Sequence, residues 1–224
     1  MKTVGQSIIE FYSSLQPPLD LPAGVEILHP QASQQTMQVV QEFYNRYYND
    51  NNPRQLLFGI NPGRFGAGTT GVNFTGPKQL TEHCGIQHPF KLRSELSAEF
   101  IYLMIDAYGG CEKFYGKFFI TSVSPLGFIK NGINLNYYDD KALASSLRPW
   151  IIENIRTQIA FSRCSRSCIC IGGEKNFKYF NSINNEAGFF ERILPLPHPR
   201  FIMQYRRKQV SNYVDAYLKA LDEL

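Results

Sequence analysis

Gln55-Leu56-Leu57-Phe58-Gly59-Ile60-Asn61-Pro62-Gly63-Arg64-Phe65-Gly66-Ala67-Gly68-Thr69-Thr70-Gly71-Val72-Asn73-Phe74 is the stretch whose reading decides the fold. Its opening run is short, apolar and closed by Asn-Pro-Gly, which predicts a buried strand running into a turn. The glycines that follow permit positive φ and close backbone approach, so the loop can present amide N–H groups and a few fixed side chains to a ligand. Two nucleotide-binding readings fail here. No Gly-Lys-Ser/Thr forms a Walker A, and glycines at 59, 63, 66 and 68 do not make GxGxxG. Composition alone also admits a purely structural, turn-rich loop.

Outward from this strand, helical and extended patterns alternate. Ile8, Ile9, Phe11, Tyr12 and Leu15 recur at helical spacing until Pro17-Pro18 stops them. Ser33 is placed to cap a second helix to about Tyr48, with Met37, Val40, Tyr44 and Tyr47 as its apolar stripe. Pro77 to Cys84 predicts a short helix. Ser94 to Ala107 predicts a longer one, with Leu96, Phe100, Leu103 and Met104 on one face and Gly109-Gly110 ending it. Lys117 to Ser122 reads as strand, and Asp139 to Phe161 as a helix kinked or divided at Pro149. Ser167 to Ile171 reads as strand, Glu174 to Asn181 as helix, Phe189 to Pro195 as extended and Gln209 to Leu221 as the last helix. Strands separated by helices predict an α/β fold of three layers with a central, mostly parallel four-stranded sheet. Ligands in such sheets sit beyond the strand carboxyl ends.

With 224 residues, 43% of them hydrophobic, the chain suits one domain over residues 1–224, its N-terminal helical segment 1–50 packed on the rest. An aromatic content of 14% excludes disorder, because so much Phe and Tyr can bury enough surface to offset chain entropy. No stretch approaches the roughly 20 apolar residues of a membrane span. Gln6, Ser7 and Glu10 interrupt any signal-peptide core within Met1 to Leu15, so a soluble, cytoplasmic protein is expected. A net charge of +4 permits a polyanionic partner without demanding one. The five cysteines are odd in number and predict reduced thiols. Cys164, Cys168 and Cys170 lack paired CxxC spacing and a nearby His, so Cys168 and Cys170 read as small buried residues of a strand, and no metal is expected.

Two further strand ends are chemically suggestive. Thr121-Ser122-Val123-Ser124-Pro125-Leu126 means little alone, since Ser and Pro commonly end strands. Leu194-Pro195-Leu196-Pro197-His198-Pro199-Arg200 fixes a His between prolines, and Phe201, Tyr205, Arg206, Arg207 and Lys208 interleave aromatics with cations in a loop suited to a polyanion carrying stackable bases.

Taken together, Gly-Ile-Asn-Pro-Gly-x-Phe-Gly, Ser-Pro-Leu and Pro-His-Pro-Arg resemble the uracil-DNA glycosylase superfamily over roughly Leu56 to Tyr217. The single-strand-selective monofunctional branch is the most similar, with matching spacing at Asn61-Pro62-Gly63, Phe65-Gly66, Thr70-Gly71-Val72 and Phe74. The resemblance implies that Asn61 positions the attacking water, Phe74 stacks on the extruded base and His198 bonds the uracil O2 as charge builds there. Ile60, Gly63, Phe65 and Ser122 would line the base pocket, and Arg200, Phe201, Tyr205, Arg206, Arg207 and Lys208 would hold DNA. It implies no cofactor and a monomer acting on single- or double-stranded DNA. The chain departs from the family in three places: Ser122 stands where an Asn is usual, His198-Pro199-Arg200 shortens a longer motif, and Asn73 replaces a Pro.

The residue chemistry agrees independently. Cleaving an N-glycosidic bond needs stabilisation of an anionic leaving base more than a strong nucleophile, and an amide plus an imidazole donor in a dry pocket can supply it. Removing a nucleotide from its stack accounts for aromatics beside basic residues. No Lys stands at the motifs for a Schiff-base lyase step, and no GxSxG elbow suggests a Ser hydrolase. The alternative is a nucleic-acid-binding protein of the same fold without catalysis. Retention of Asn61 and His198 counts against it.

Overall fold

The computed structural model describes residues 2–164 and 166–224; Met1 and Ser165 lie outside the described residues. In chain order the elements are α1 (Val4–Ser14), β1 (Val25–Leu28), α2 (Gln34–Tyr47), β2 (Gln55–Gly59), α3 (Ala67–Thr70), α4 (Pro77–Glu82), α5 (Leu96–Tyr108) and α6 (Cys111–Tyr115). They continue with β3 (Phe118–Ser122), β4 (Gly127–Lys130), β5 (Ile133–Leu135), α7 (Lys141–Ser162), β6 (Ser167–Ile171), α8 (Gly173–Ala187), β7 (Arg192–Leu196), α9 (Pro199–Tyr205) and α10 (Val210–Asp222).

The predicted sheet is present: four parallel strands in the order β3-β2-β6-β7. Leu56, Leu57 and Phe58 are fully buried, as are Cys168, Ile169 and Cys170 in β6, because both sheet faces carry helices. Burial pushes the Cys170 thiol up to about 12, in keeping with an inert core residue. The chain leaves β2 toward β3 on one side and leaves β3 for β6 on the other. Right-handed crossovers therefore put α5 on one face and α7 with α8 on the opposite one. α5 packs with α9 and α10, its Phe100 ring 4.9 Å from Tyr217, while α7 packs on α1, α8 and β2. The direction reverses between β2 and β6, which opens a crevice at their carboxyl ends.

Local chemistry sets the helix ends. Thr3 and Gln6 form a reciprocal capping box at α1. The Glu95 and Asp140 side chains accept from the first backbone N–H groups of α5 and α7. Ser33 sits at the start of α2 but its side chain makes no capping bond. Pro149 does not divide α7, which runs unbroken through it with Leu143, Leu147, Ile151 and Ile155 as one buried stripe. Leu103 was expected on the apolar face of α5 and is exposed, since the buried stripe follows Phe100, Ile101 and Met104.

Two larger features also depart from the sequence expectation. A second, antiparallel sheet of order β1-β4-β5 lies beyond the parallel one. The segment expected as a loop from Arg200 to Lys208 is helical, with α9 capped by His198 and started by Pro199, and a 3₁₀ turn at Arg207–Gln209. Pro has no N–H to lose at a first helical position, so the same Pro that suggested a loop starts a helix.

Candidate active site

A cavity of about 570 Å³ opens beyond the strand ends, lined by Gly59 to Gly63 after β2, Ser122 at the end of β3, Gly172 after β6 and His198 after β7. The ladder between β2 and β3 continues past both strands, with Val123 N bonded to Gly59 O at 3.0 Å and Ser124 N to Ile60 O at 3.1 Å. This extension holds the first and second motifs in register. A groove of about 880 Å³ between α1 and α7 is larger, but it holds none of the strand-end residues.

Asn61 is clamped from across the cavity. Its Oδ1 accepts from Tyr137 N at 3.1 Å and its Nδ2 donates to Leu135 O at 3.3 Å. Tyr137 is itself anchored, its buried hydroxyl donating to Asn176 Oδ1 at 2.6 Å. Nδ2 also donates to Pro62 O at 3.4 Å, so what Asn61 keeps for a ligand is a lone pair on Oδ1. Phe74 adopts φ +53°, an uncommon conformation for an aromatic residue. Its ring lies so close over Gly59 that a Cβ there would come 2.5 Å from Cε2. Thr70 locks this turn through Thr75 O at 2.6 Å, and Asn73 is buried, donating to Tyr12 OH at 3.0 Å and tying the loop to α1.

His198 faces Phe74 with ring centroids 6.3 Å apart. Its Nδ1 accepts from Arg200 N at 3.1 Å, which assigns the proton of the neutral ring to Nε2. Burial holds the imidazole down at about 4, with the Arg200 guanidinium pushing the same way. The ring is therefore a neutral donor near neutral pH. Ser122 is buried and donates its hydroxyl to Ser124 O at 2.8 Å, so it offers the cavity only oxygen lone pairs.

The cavity brings together Ile60, Asn61, Gly63, Phe65, Phe74, Ser122, His198, Arg200, Phe201 and Tyr205 of the sequence-predicted residues. Arg206, Arg207 and Lys208 do not line it; they stand exposed beyond the end of α9. Sequence reasoning missed Glu95, Asn134, Asn136 and Tyr138, which also line the space, and Tyr137, which fixes Asn61. Among the described residues no group of three or more His, Cys, Asp or Glu is arranged to hold a metal ion, and no helix is long and apolar enough to cross a membrane.

Comparison with known proteins is specific. The family model for the uracil DNA glycosylase superfamily matches residues 46–222. The crystal structure of wild-type SMUG2 from Pedobacter heparinus is 45% identical and superposes with a TM-score of 0.96, covering 100% of this chain and 98% of that one. No curated protein sequence matches.

Proposed function

The chain belongs to the uracil DNA glycosylase superfamily, and from that premise we propose that it is a monofunctional DNA glycosylase that hydrolyses the N-glycosidic bond of uracil in DNA, the opening step of base excision repair. The observation that carries this reading is the convergence of Asn61, Phe74, Ser122 and His198 on one cavity from the ends of separate strands.

In this mechanism the extruded base stacks on Phe74 and its O2 meets His198 Nε2–H. As the glycosidic bond lengthens, the sugar gains oxocarbenium character and the base becomes an anion. A fixed donor at the developing oxyanion is worth roughly 3 to 4 kcal/mol in a water-poor site. A neutral ring suits the task, because it gives a hydrogen bond without surrendering its proton to the departing base. Asn61 is too weak a base to deprotonate water, so its role is to orient the water toward C1′, and the clamp from Tyr137 and Leu135 supports that role by denying the amide rotation. The water oxygen ends on C1′, and the proton that the water sheds as its bond to C1′ forms neutralises the departing base anion. Phe201, 42% exposed near the start of α9 and lining the same cavity as His198, is suited to fill the gap left in the stack.

Ser122 bears on the base spectrum. An Asn amide would offer a donor and an acceptor in fixed geometry, whereas this hydroxyl is shorter and already spends its proton on Ser124 O. The pocket edge therefore discriminates less, and we propose that the enzyme also accepts xanthine, whose six-membered ring carries a uracil-like pair of carbonyls.

The test is incubation with labelled oligonucleotides bearing uracil, hydroxymethyluracil, xanthine, hypoxanthine or a thymine mismatch, followed by alkali to break abasic products. Alkali-labile sites at uracil are expected. No release of any base, with the oligonucleotide bound, would favour a non-catalytic binding protein.

A further inference from the structure

The arginines divide into two groups. Arg46, Arg54, Arg148, Arg156, Arg166 and Arg192 each pair with a carboxylate. Among the described residues no carboxylate pairs with Arg64, Arg93, Arg163, Arg200, Arg206 or Arg207; Arg163 lies away from the cavity and donates instead to Asn51 O at 2.9 Å and Asn51 Oδ1 at 3.2 Å, whereas the other five line the cavity or stand within two positions of a residue that does. Cations left without partners in one place mark where an anion is expected. The sequence accounted for the group on and after α9. It did not account for Arg64 and Arg93.

These two are organised by an aromatic ring. Phe65 is 45% exposed on the rim, with the Arg64 guanidinium 5.1 Å and the Arg93 guanidinium 5.3 Å from its ring centroid. Arg64 is further held by Asn134, whose Oδ1 accepts from its Nε at 3.1 Å. Glu95, the carboxylate among the residues that line the cavity, is turned onto Ser97 N and Ala98 N at the start of α5 and pairs with neither arginine. Stacking on a ring limits guanidinium motion and leaves the N–H edges free, which suits recognition of phosphate oxygens.

We propose that Arg64 and Arg93, racked on Phe65, form a second backbone-phosphate site that grips the DNA strand at the rim of the base cavity, separate from the cations that follow α9. The inference rests on the reading of the chain as a DNA glycosylase, and it adds a contact that the sequence motifs did not reveal.

The test compares the parent with Arg93→Gln and with Arg64→Gln/Arg93→Gln, measuring affinity for a uracil-free single-stranded oligonucleotide across a salt series. Each lost phosphate contact lowers the log–log salt slope by about 0.7, so the single variant should fall by about 0.7 and the double by about 1.4, with affinity about tenfold weaker for the double. Arg166→Gln, which removes an exposed cation paired with Glu191, serves as the charge control and should keep the parental slope. A parental slope in both cavity-rim variants overturns the site, as does an equal fall in the control, which would reduce the effect to net charge. Uracil excision by the parent, run alongside, separates the two readings. An inactive parent whose slope still depends on Arg64 and Arg93 would overturn the glycosylase and keep the phosphate site; an active parent with an unaltered slope in the variants would do the reverse.

Discussion

That Asn61, Phe74 and His198 share one cavity was legible in the sequence because each sits in a motif whose neighbours constrain its backbone: a Pro-Gly turn, a Gly-rich loop, a pair of prolines. What fixes them was not legible. The Asn61 partner is a backbone N–H from residue 137, and no side-chain identity advertises a backbone contact across that separation. If Asn61 orients water and His198 stabilises the leaving base, Asn61→Ala and His198→Ala should each lower single-turnover excision by on the order of a hundredfold or more, read at saturating enzyme. Rates within threefold of the parent for both would remove the assignment. His198 also makes stability depend on pH. Its folded pKa of about 4 lies below the ordinary imidazole value, so in acid the unfolded chain takes up the proton first. Stability should therefore fall as pH drops from about 6.5 to about 4, by roughly 3 kcal/mol from this group. Urea unfolding at several pH values should show a shallower fall in His198→Gln. At Ser122, a change to Asn restores a fixed donor and acceptor, and the ratio of uracil to xanthine release should rise. Absence of xanthine release from the parent under conditions of full uracil release would confine the enzyme to uracil and its relatives.

The β4–β5 hairpin is the element the sequence reading passed over, and its signal was present. Asn131-Gly132 lies between short apolar runs, and both residues take positive φ, 52° and 72°, as a two-residue turn of the primed type requires. Strands of four and three residues with exposed positions carry too little alternation to stand out beside the buried parallel strands. The hairpin matters because it delivers Leu135 O and Tyr137 N to Asn61 and Asn134 to Arg64. Gly132→Val puts a β-branched residue where φ must be positive. It should cost about 1 to 2 kcal/mol and slow excision severalfold by loosening the Asn61 clamp. Thermal melting together with single-turnover kinetics checks both; a lower melting temperature with parental kinetics would show that the clamp tolerates a shifted hairpin. Helix α9 teaches a related lesson. A His followed by a Pro was read as loop chemistry, yet it is also an N-cap followed by a favoured first helical residue. The helix puts Phe201 and Tyr205 on one face at i, i+4, ring centroids 5.7 Å apart, where a loop would have left them unordered relative to each other.

At the scale of the whole molecule, the parallel sheet does two things at once. Its order places the first and third strands of the parallel set side by side, so loops that leave in opposite directions open the cavity, and the same ends gather the unpaired cations. The +4 balance understated this, since a modest net charge hides a polar distribution in which arginines remote from the cavity, such as Arg148 and Arg166, are neutralised by carboxylates. Arg206, Arg207 and Lys208 extend the positive rim past α9, and none of them lines the base pocket, so their contribution should be to binding of any DNA rather than to recognition of the damaged base. Replacing all three by Gln should flatten the salt dependence of single-strand binding by about 2, from about 0.7 per phosphate contact, equally for oligonucleotides with and without uracil. A solvated turn leading into α10 would behave differently: the slope would stay at the parental value, because cations that touch only water release no counterions from DNA. A slope that flattened only for uracil-bearing DNA would instead mean that these residues engage after the base has left the stack, when the strand has bent toward α9.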